Sequence, residues 1–194
     1  MEVDPLEIAL QVGKALAAID APFYLGGSLA SSIHGLPRAT LDADIVADMK
    51  PGQGERLAEL LGSAFYADAR AMEKAVQCRR SFNVIHLETA FKVDVFVCDD
   101  SPFSRESFSR SRAELIGKGG TSVRVATPED TVLHKLLWYR KGGGTSDRQW
   151  RDLVGVLKVQ GQAIDGDYLA RWARDLGLEG LLEKALREAT ADSS

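Results

Sequence analysis

The stretch that decides the fold is YLGGSLASSIHGLPRATLDADIV, residues 24–46. It begins as an apolar strand and turns at Gly26-Gly27-Ser28 into a short predicted helix. It ends in a second apolar run that contains Asp42 and Asp44. A carboxylate taken out of water costs several kcal/mol unless a cation pairs with it. The two aspartates in this run therefore indicate a specific partner.

Alternation places both aspartates on one face of a strand, because residues i and i+2 point the same way. The Cα atoms of Asp42 and Asp44 are expected about 6.5–7 Å apart, so both carboxylates can reach one cation. Mg²⁺ prefers oxygen ligands and usually binds one or two carboxylates together with substrate phosphates. The pair is a candidate magnesium site, and a plain strand end is the alternative interpretation.

A third carboxylate, Asp94, lies in the apolar run FKVDVFV, residues 91–97. On a strand next to the first pair, Asp94 would allow the site to hold a second ion and to activate an attacking hydroxyl. Lys92 lies on the same face of this run. A salt bridge between Lys92 and Asp94 is therefore the alternative explanation for the third charge.

The glycines at the start of the predicted helix favour phosphate binding. Gly26 and Gly27 let the backbone approach a ligand closely, and the N-terminus of a helix offers N–H groups to an anion. Ser28 adds a hydroxyl group. A Gly-Gly-Ser turn alone is weak evidence. Followed fourteen residues later by Asp42 and Asp44, it predicts a site for a nucleoside triphosphate and its metal ion.

The rest of the chain predicts a mixed α/β body to about residue 126 and a helical tail. Thr127-Pro128 is a strong helix start, with an N-cap residue followed by proline at the first helical position. The predicted strands are 23–25, 42–47, 82–87, 91–97 and 121–126, the third and fourth forming a hairpin. The predicted helices are 5–20, 28–34, 55–61, 127–140, 146–159, 167–176 and 179–190, and residues 99–119 are predicted to be loop with a short helix.

The bulk properties are those of a globular protein of 194 residues, with a net charge of −4. No apolar run reaches the roughly 18 residues of a membrane span, and the acidic N-terminus lacks the features of an export signal. Cys78 and Cys98 are expected to be buried, reduced thiols. We therefore expect a cytoplasmic protein that does not bind membranes. Residues 105–158 hold 11 Lys and Arg against 6 Asp and Glu, a net +5 that favours phosphate-bearing partners.

The order Gly-Gly-Ser, Asp-x-Asp and a separate Asp resembles the nucleotidyltransferase superfamily, whose palm is of the DNA polymerase β type. Within it the opening motif is most similar to the bacterial AbiEii/AbiGii-toxin-like nucleotidyltransferases. Nucleotidyltransferases that modify antibiotics have a similar opening. The residues that carry the resemblance are Gly26, Gly27, Ala30, His34, Gly35, Arg38, Thr40, Asp42 and Asp44.

The resemblance extends to TPEDTVLHKLLWYRKGG, residues 127–143, and DRQWRD, residues 147–152. It implies that Lys135 on a helix and Asp152, together with Arg148 or Arg151, complete the nucleotide pocket, and that Arg38 also neutralises the triphosphate. The alternatives are a surface lysine at 135 and, for Asp152, an i,i+4 partner of Arg148 on one helix.

The implied fold is α+β: a polymerase β-like mixed sheet with flanking helices, followed by a small C-terminal helical subdomain. Residues 1–126 are expected to form the nucleotidyltransferase core, and residues 127–194 a subdomain that completes the cleft. The implied cofactor is Mg²⁺ or Mn²⁺, held by Asp42, Asp44 and Asp94. The implied co-substrate is an NTP, bound by Gly26, Gly27, Ser28, Arg38, Lys135 and Asp152.

The implied activity is transfer of a nucleoside monophosphate from the NTP to an acceptor hydroxyl, with release of pyrophosphate. The acceptor is expected to be RNA, such as tRNA, or a protein, with a toxin or antitoxin protein as a partner. A small-molecule adenylyltransferase of the antibiotic-modifying type is one alternative. A non-catalytic module that binds a partner or a nucleotide is the other.

Overall fold

A computed structural model of the chain describes residues 4–117 and 119–191. The chain divides into two compact units. The first comprises residues 1–29 and 39–125, and the second comprises residues 30–38 and 126–194. The first unit contains the β-sheet and the second is helical.

A mixed sheet of seven strands forms in the described part of the first unit. The strands are β1 (Phe23–Leu25), β2 (Asp42–Ala47), β3 (Phe65–Tyr66), β4 (Ser81–His86), β5 (Lys92–Val97), β6 (Arg112–Ile116) and β7 (Thr121–Val125). Their order is β3-β4-β5-β2-β1-β7-β6. β2 is antiparallel to β1 and parallel to β5. The two strands that carry the candidate aspartates are therefore direct neighbours.

Alternating burial fixes which face of β2 and β5 belongs to the core. Ala43 and Ile45 of β2 are fully buried, as are Val93 and Val95 of β5. Helix α1 (Pro5–Ala18) packs against β2, and its apolar stripe has the 3.6-residue period of a core-facing helix. The apolar alternate positions therefore hold the sheet to its helices and leave the aspartates on the opposite face.

The remaining helices of the first unit connect the strands. They are α2 (Gly27–His34), whose last residues belong to the second unit, α3 (Gln53–Leu61), α4 (Ala69–Gln77) and α5 (Pro102–Arg110). α3 packs against α4. Gly54 allows this contact, because a Cβ atom there would lie 2.7 Å from the backbone of Glu73.

In the described part of the second unit, four helices with short connections accompany the end of α2: α6 (Pro128–Lys141), α7 (Asp147–Gln160), α8 (Gly166–Asp175) and α9 (Glu179–Ala191). Thr127 caps α6 through the backbone N–H of Asp130. The buried Asp130 carboxylate in turn accepts hydrogen bonds from the Thr127 hydroxyl at 2.8 Å and from the Tyr168 hydroxyl at 2.6 Å. The cap therefore ties the start of α6 to α8.

Residues 30–38 are joined to the second unit by buried polar contacts. His34 Nε2 lies 2.7 Å from the carbonyl oxygen of Ala126, and Gln160 donates from Nε2 to the carbonyl oxygen of His34. Gly35 leaves no space for a side chain, since a Cβ atom would lie 2.8 Å from the backbone nitrogen of Val156. His34 therefore has a structural role.

The structure confirms the predicted α+β architecture and corrects three details. Residues 99–119 include the strand β6, which the sequence predicts as loop because its outward residues are polar and its alternation is weak. The short strand β3 and helix α4 were not predicted. Cys78 is exposed, and only Cys98 is buried as expected. Among the described residues, no helix combines the length and apolar character that a membrane crossing requires.

Candidate active site

Asp42 and Asp44 lie on the face of β2 that the core does not use. Both are partly exposed, while Ala43 and Ile45 between and beyond them are fully buried. Thr40 Oγ1 lies 2.7 Å from the carbonyl oxygen of Asp42 and 3.2 Å from its carboxylate. The strand therefore presents two carboxylates side by side, as the alternation predicted.

Asp94 joins this pair through strand register. In the parallel pairing of β2 with β5, Asp44 lies directly opposite Asp94, and Asp42 lies opposite Lys92. Neighbouring strands are about 4.8 Å apart. Three carboxylates and one ammonium group are thereby brought to one face of two adjacent strands.

Gly27 is required by the position of the Asp44 carboxylate. Gly27 has a φ of 51°, a conformation that suits glycine. A Cβ atom at this position would lie 1.6 Å from Asp44 Oδ2. The backbone N–H of Gly26 donates to the carbonyl oxygen of Asp44 at 2.9 Å. The glycine turn is therefore built directly against the aspartate.

Helix α2 starts at this same turn, with Gly27 as its first residue and the largely buried Ser28 as its second. The N–H groups in the first turn of a helix have no partner within the helix and carry partial positive charge. The Gly26 N–H is bonded to the Asp44 carbonyl oxygen on β2, so Gly26 anchors the turn to the sheet. The start of α2 is the part of the motif suited to an anion.

Lys92 forms a salt bridge with Asp94, with Nζ 2.6 Å from Oδ2. The hydrogen bond to Asp94 raises the pKa of Lys92; burial opposes this rise, and the charges of Asp94, Asp42 and Asp44 add to it. The salt bridge considered as the alternative explanation for Asp94 is therefore present.

The carboxylates fit a divalent cation that shares its ligands with a substrate. Among the residues that the structure describes, no group of three or more His, Cys, Asp and Glu side chains is arranged to hold a metal ion by itself. Mg²⁺ usually binds one or two carboxylates and completes its shell with phosphate oxygens and water. Asp42 and Asp44 on an open strand face suit that arrangement better than a closed protein cage.

The second unit contains a separate buried ion cluster. Asp152 on α7 accepts two hydrogen bonds from Arg38, Nε to Oδ1 and Nη2 to Oδ2, each at 2.8 Å. Lys135 on α6 donates to Asp152 Oδ2 at 2.8 Å and to Gln149 Oε1 at 3.1 Å. Only 2% of Lys135 is exposed. The surface-lysine interpretation is therefore wrong.

The two cations determine the ionisation of Asp152. Burial by itself would raise the pKa of Asp152, but hydrogen bonds from Arg38 and Lys135, together with their charges, hold that pKa below its usual value. The carboxylate is thus charged at neutral pH and pairs with both cations.

The structure places the predicted site residues in two groups. Gly26, Gly27, Ser28, Asp42, Asp44 and Asp94 meet in the first unit, and Arg38, Lys135 and Asp152 meet in the second. Their roles in metal and nucleotide binding stay predictions. Sequence reasoning missed Gln149, although its spacing of three from Asp152 on one helix was a usable signal. It treated Lys92 only as a partner of Asp94.

Comparisons with known proteins identify the family. A family model described as nucleotidyl transferase AbiEii toxin, type IV TA system, matches residues 9–190. The solution structure of the antibiotic-resistance factor ANT(2'')-Ia is similar in fold, with a TM-score of 0.58 and 14% identity over 94% of this chain and 100% of that chain. No curated protein sequence matches the chain.

A second solved structure supports the same fold assignment. The crystal structure of an antigenic nucleotidyltransferase-like protein from Paracoccidioides brasiliensis has a TM-score of 0.53 and 15% identity, over 94% of this chain and 91% of that chain. At these identities the likeness concerns the fold alone. The family match covers most of the chain, and the chain therefore belongs to the AbiEii family of nucleotidyl transferases.

Proposed function

We propose that this nucleotidyl transferase is metal-dependent and moves a nucleoside monophosphate from an NTP to an acceptor hydroxyl on RNA or protein, releasing pyrophosphate. The observation that carries the proposal is the register of β2 and β5, which sets Asp44 opposite Asp94 with Asp42 on the same face. The alternate positions of both strands are buried, so the three carboxylates lie on the face that the core does not use.

Asp42 and Asp44 would hold the divalent cation, Mg²⁺ or Mn²⁺. The cation, when bound, neutralises charge on the phosphates of the NTP. Gly27 keeps the Asp44 carboxylate in place by leaving room for it. The first turn of α2, with Gly27 and Ser28, would bind phosphate oxygens through its N–H groups. The protein would thus supply some of the metal ligands, and the substrate phosphates would supply others.

Asp94 is the proposed base of the transfer step. The acceptor oxygen forms a bond to the α-phosphorus while the bond from that phosphorus to the β-bridging oxygen breaks. The proton of the acceptor hydroxyl passes to Asp94, and pyrophosphate leaves with the bond electrons. For this role the Asp94 carboxylate must give up its salt bridge with Lys92.

Arg38, Lys135 and Asp152 are proposed as nucleotide-binding residues. The support is that Asp152 holds the Arg38 guanidinium and the Lys135 ammonium group together in a fixed geometry, and both are cations of the kind that binds phosphate. Lys135→Met is expected to raise the KM for the NTP more than it lowers kcat. A change in kcat alone, with KM unaltered, would contradict this role.

The proposed acceptor of the nucleotide is a macromolecule. The AbiEii family description as a toxin of a type IV toxin–antitoxin system favours a macromolecular target and a partner antitoxin. The net +5 of residues 105–158 favours RNA. A small-molecule acceptor is the second class to test, because ANT(2'')-Ia, which shares the fold, is an antibiotic-resistance factor.

The test is label transfer from each α-³²P-NTP, with Mg²⁺ or Mn²⁺, to total RNA, cell protein or a set of aminoglycosides. Asp42→Asn/Asp44→Asn is the loss-of-function variant. Asp20→Asn, which changes the same group at an exposed turn, is the matched control. Label that enters one pool with wild type and Asp20→Asn, and is lost with the double variant, names the acceptor class. Binding of Mg·NTP without transfer to any pool would instead indicate a non-catalytic module.

A further inference from the structure

Lys92 is a fourth charged group on the carboxylate face, and the proposed chemistry assigns it no task. Lys92 lies opposite Asp42 in the parallel pairing of β2 with β5, and its Nζ lies 2.6 Å from Asp94 Oδ2. The Lys92 side chain is 42% exposed, whereas that of Asp94 is 21% exposed. The ammonium group therefore reaches inward to the less accessible carboxylate instead of extending into solvent.

This position matters because three carboxylates on adjacent strands repel one another. Opposite charges on neighbouring positions of a sheet stabilise it and like charges destabilise it. Asp44 and Asp94 face each other directly, so a cation is needed nearby. Lys92 supplies one from within the chain, and all three aspartates act electrostatically on it.

A dication held by Asp42 and Asp44 would lie on the same strand face as the Lys92 ammonium group, which pairs with Asp94. Two positive groups on one face repel each other, so the ammonium group disfavours a cation bound beside it. We propose that Lys92 is a positioning residue, which holds Asp94 in place before a divalent cation binds, moves off Asp94 when the cation binds, and thereby lowers the affinity of the site for the cation.

This inference rests on the proposed metal-dependent function, and it is tested by metal binding instead of turnover. The full chain is titrated with Mn²⁺ at low ionic strength, and free Mn²⁺ is measured by electron paramagnetic resonance. Lys92→Gln is expected to bind Mn²⁺ about ten-fold more tightly, which corresponds to about 1.4 kcal/mol. Lys92→Arg keeps the charge and should remain close to wild type.

Lys14→Gln is the matched control for the change in net charge, since it removes one lysine from an exposed position of α1 in the same unit. Its Mn²⁺ affinity is expected to equal that of wild type. In EDTA, Lys92→Gln should lower the melting temperature, and adding Asp94→Asn should restore it, because the repulsion that Lys92 offsets is then gone.

The outcomes separate this inference from the proposed function. If Asp42→Asn/Asp44→Asn loses Mn²⁺ binding and Lys92→Gln does not gain it, the proposed metal site stands and the role of Lys92 is overturned. A lower melting temperature for Lys92→Gln with unchanged Mn²⁺ affinity also overturns that role, because Lys92 is then merely structural. If wild type binds no Mn²⁺, or the double aspartate variant binds it as wild type does, both proposals fail.

Discussion

The carboxylates of Asp44 and Asp152 lie in opposite surroundings. Asp44 lies on a partly exposed strand face beside Asp42 and Asp94, and the Lys92 ammonium group on this face pairs with Asp94. The Asp152 side chain, in the helical unit, is 7% exposed and accepts hydrogen bonds from two cations. We propose that Asp44 binds an external cation, whereas Asp152 already pairs with two cations of the chain. We expect loss of the Asp44 charge to act mainly on the transfer step, and loss of the Asp152 charge to act on stability as well as on NTP binding.

Removal of the Asp44 charge is the most severe way to test this comparison. Asp44→Asn should lower nucleotidyl transfer about 1,000-fold, about 4 kcal/mol of barrier, because it removes a proposed metal ligand. The free energy of unfolding should change by no more than about 1 kcal/mol. Label transfer and urea unfolding measure the two quantities. A variant that keeps its activity, or that unfolds easily, would remove the distinction.

Removal of the Asp152 charge should lower stability far more than removal of the Asp44 charge does. Asp152→Asn leaves Arg38 and Lys135 without their shared anion, and the free energy of unfolding should fall by about 3 kcal/mol. Urea unfolding at pH 7 measures the loss. Asp147→Asn, an exposed position on the same helix, should stay within about 0.5 kcal/mol of wild type. Equal losses in the two variants would show that the buried cluster contributes nothing special.

Gly27→Ala is expected to lower activity by displacing the Asp44 carboxylate, without changing any charge. The new methyl group collides with the Asp44 carboxylate, so activity should fall about 100-fold, about 2.7 kcal/mol of barrier. Gly62→Ala is the control, because Gly62 has a similar φ of 56° with no atom within 4 Å of an added Cβ. Both variants should lose about 1–3 kcal/mol of stability from backbone strain. Only Gly27→Ala should lose activity, as label transfer would show.

The smallest expected effect is that of acid on the stability that the ion pairs of Asp152 contribute. Because the folded-state pKa of Asp152 is depressed, its stabilisation is fully present above the unfolded pKa of about 3.9 and is lost as the pH falls through the lower folded value. The difference in unfolding free energy between wild type and Asp152→Asn should be constant from pH 7 to about pH 5 and should shrink below about pH 4. Urea unfolding across this range measures it, and a difference that shrinks between pH 7 and pH 5 would contradict the assignment.

Local patterns in the sequence predicted the elements on both sides of this comparison. Alternation in β2 placed Asp42 and Asp44 on one face. The Thr127-Pro128 signal placed the first residue of α6 within one residue of its observed position. Local patterns do not reveal which strands pair. The opposition of Asp44 and Asp94 depends on β2 choosing β5 as its parallel neighbour, which the alternation in either strand leaves open.

Long-range ion pairs were the other limit of prediction. Arg38 and Asp152 are 114 residues apart in sequence, and nothing near either residue indicates the other. Lys135 lies beside an apolar stripe, where a lysine can either extend to solvent or be buried with a partner. The structure decides for burial because Asp152 and Gln149 are within reach of its ammonium group.

The alternation of β2 also has a consequence for the fidelity of folding. A shift of one residue in the pairing of β2 would turn every side chain to the other face. Asp42 and Asp44 would then enter the core, while Ala43, Ile45 and Ala47, now fully buried, would face outward. The shifted register would be far less stable than the native one. Very few folded molecules would therefore adopt it. The carboxylates that we propose as metal ligands thus also help to select the correct pairing register of β2.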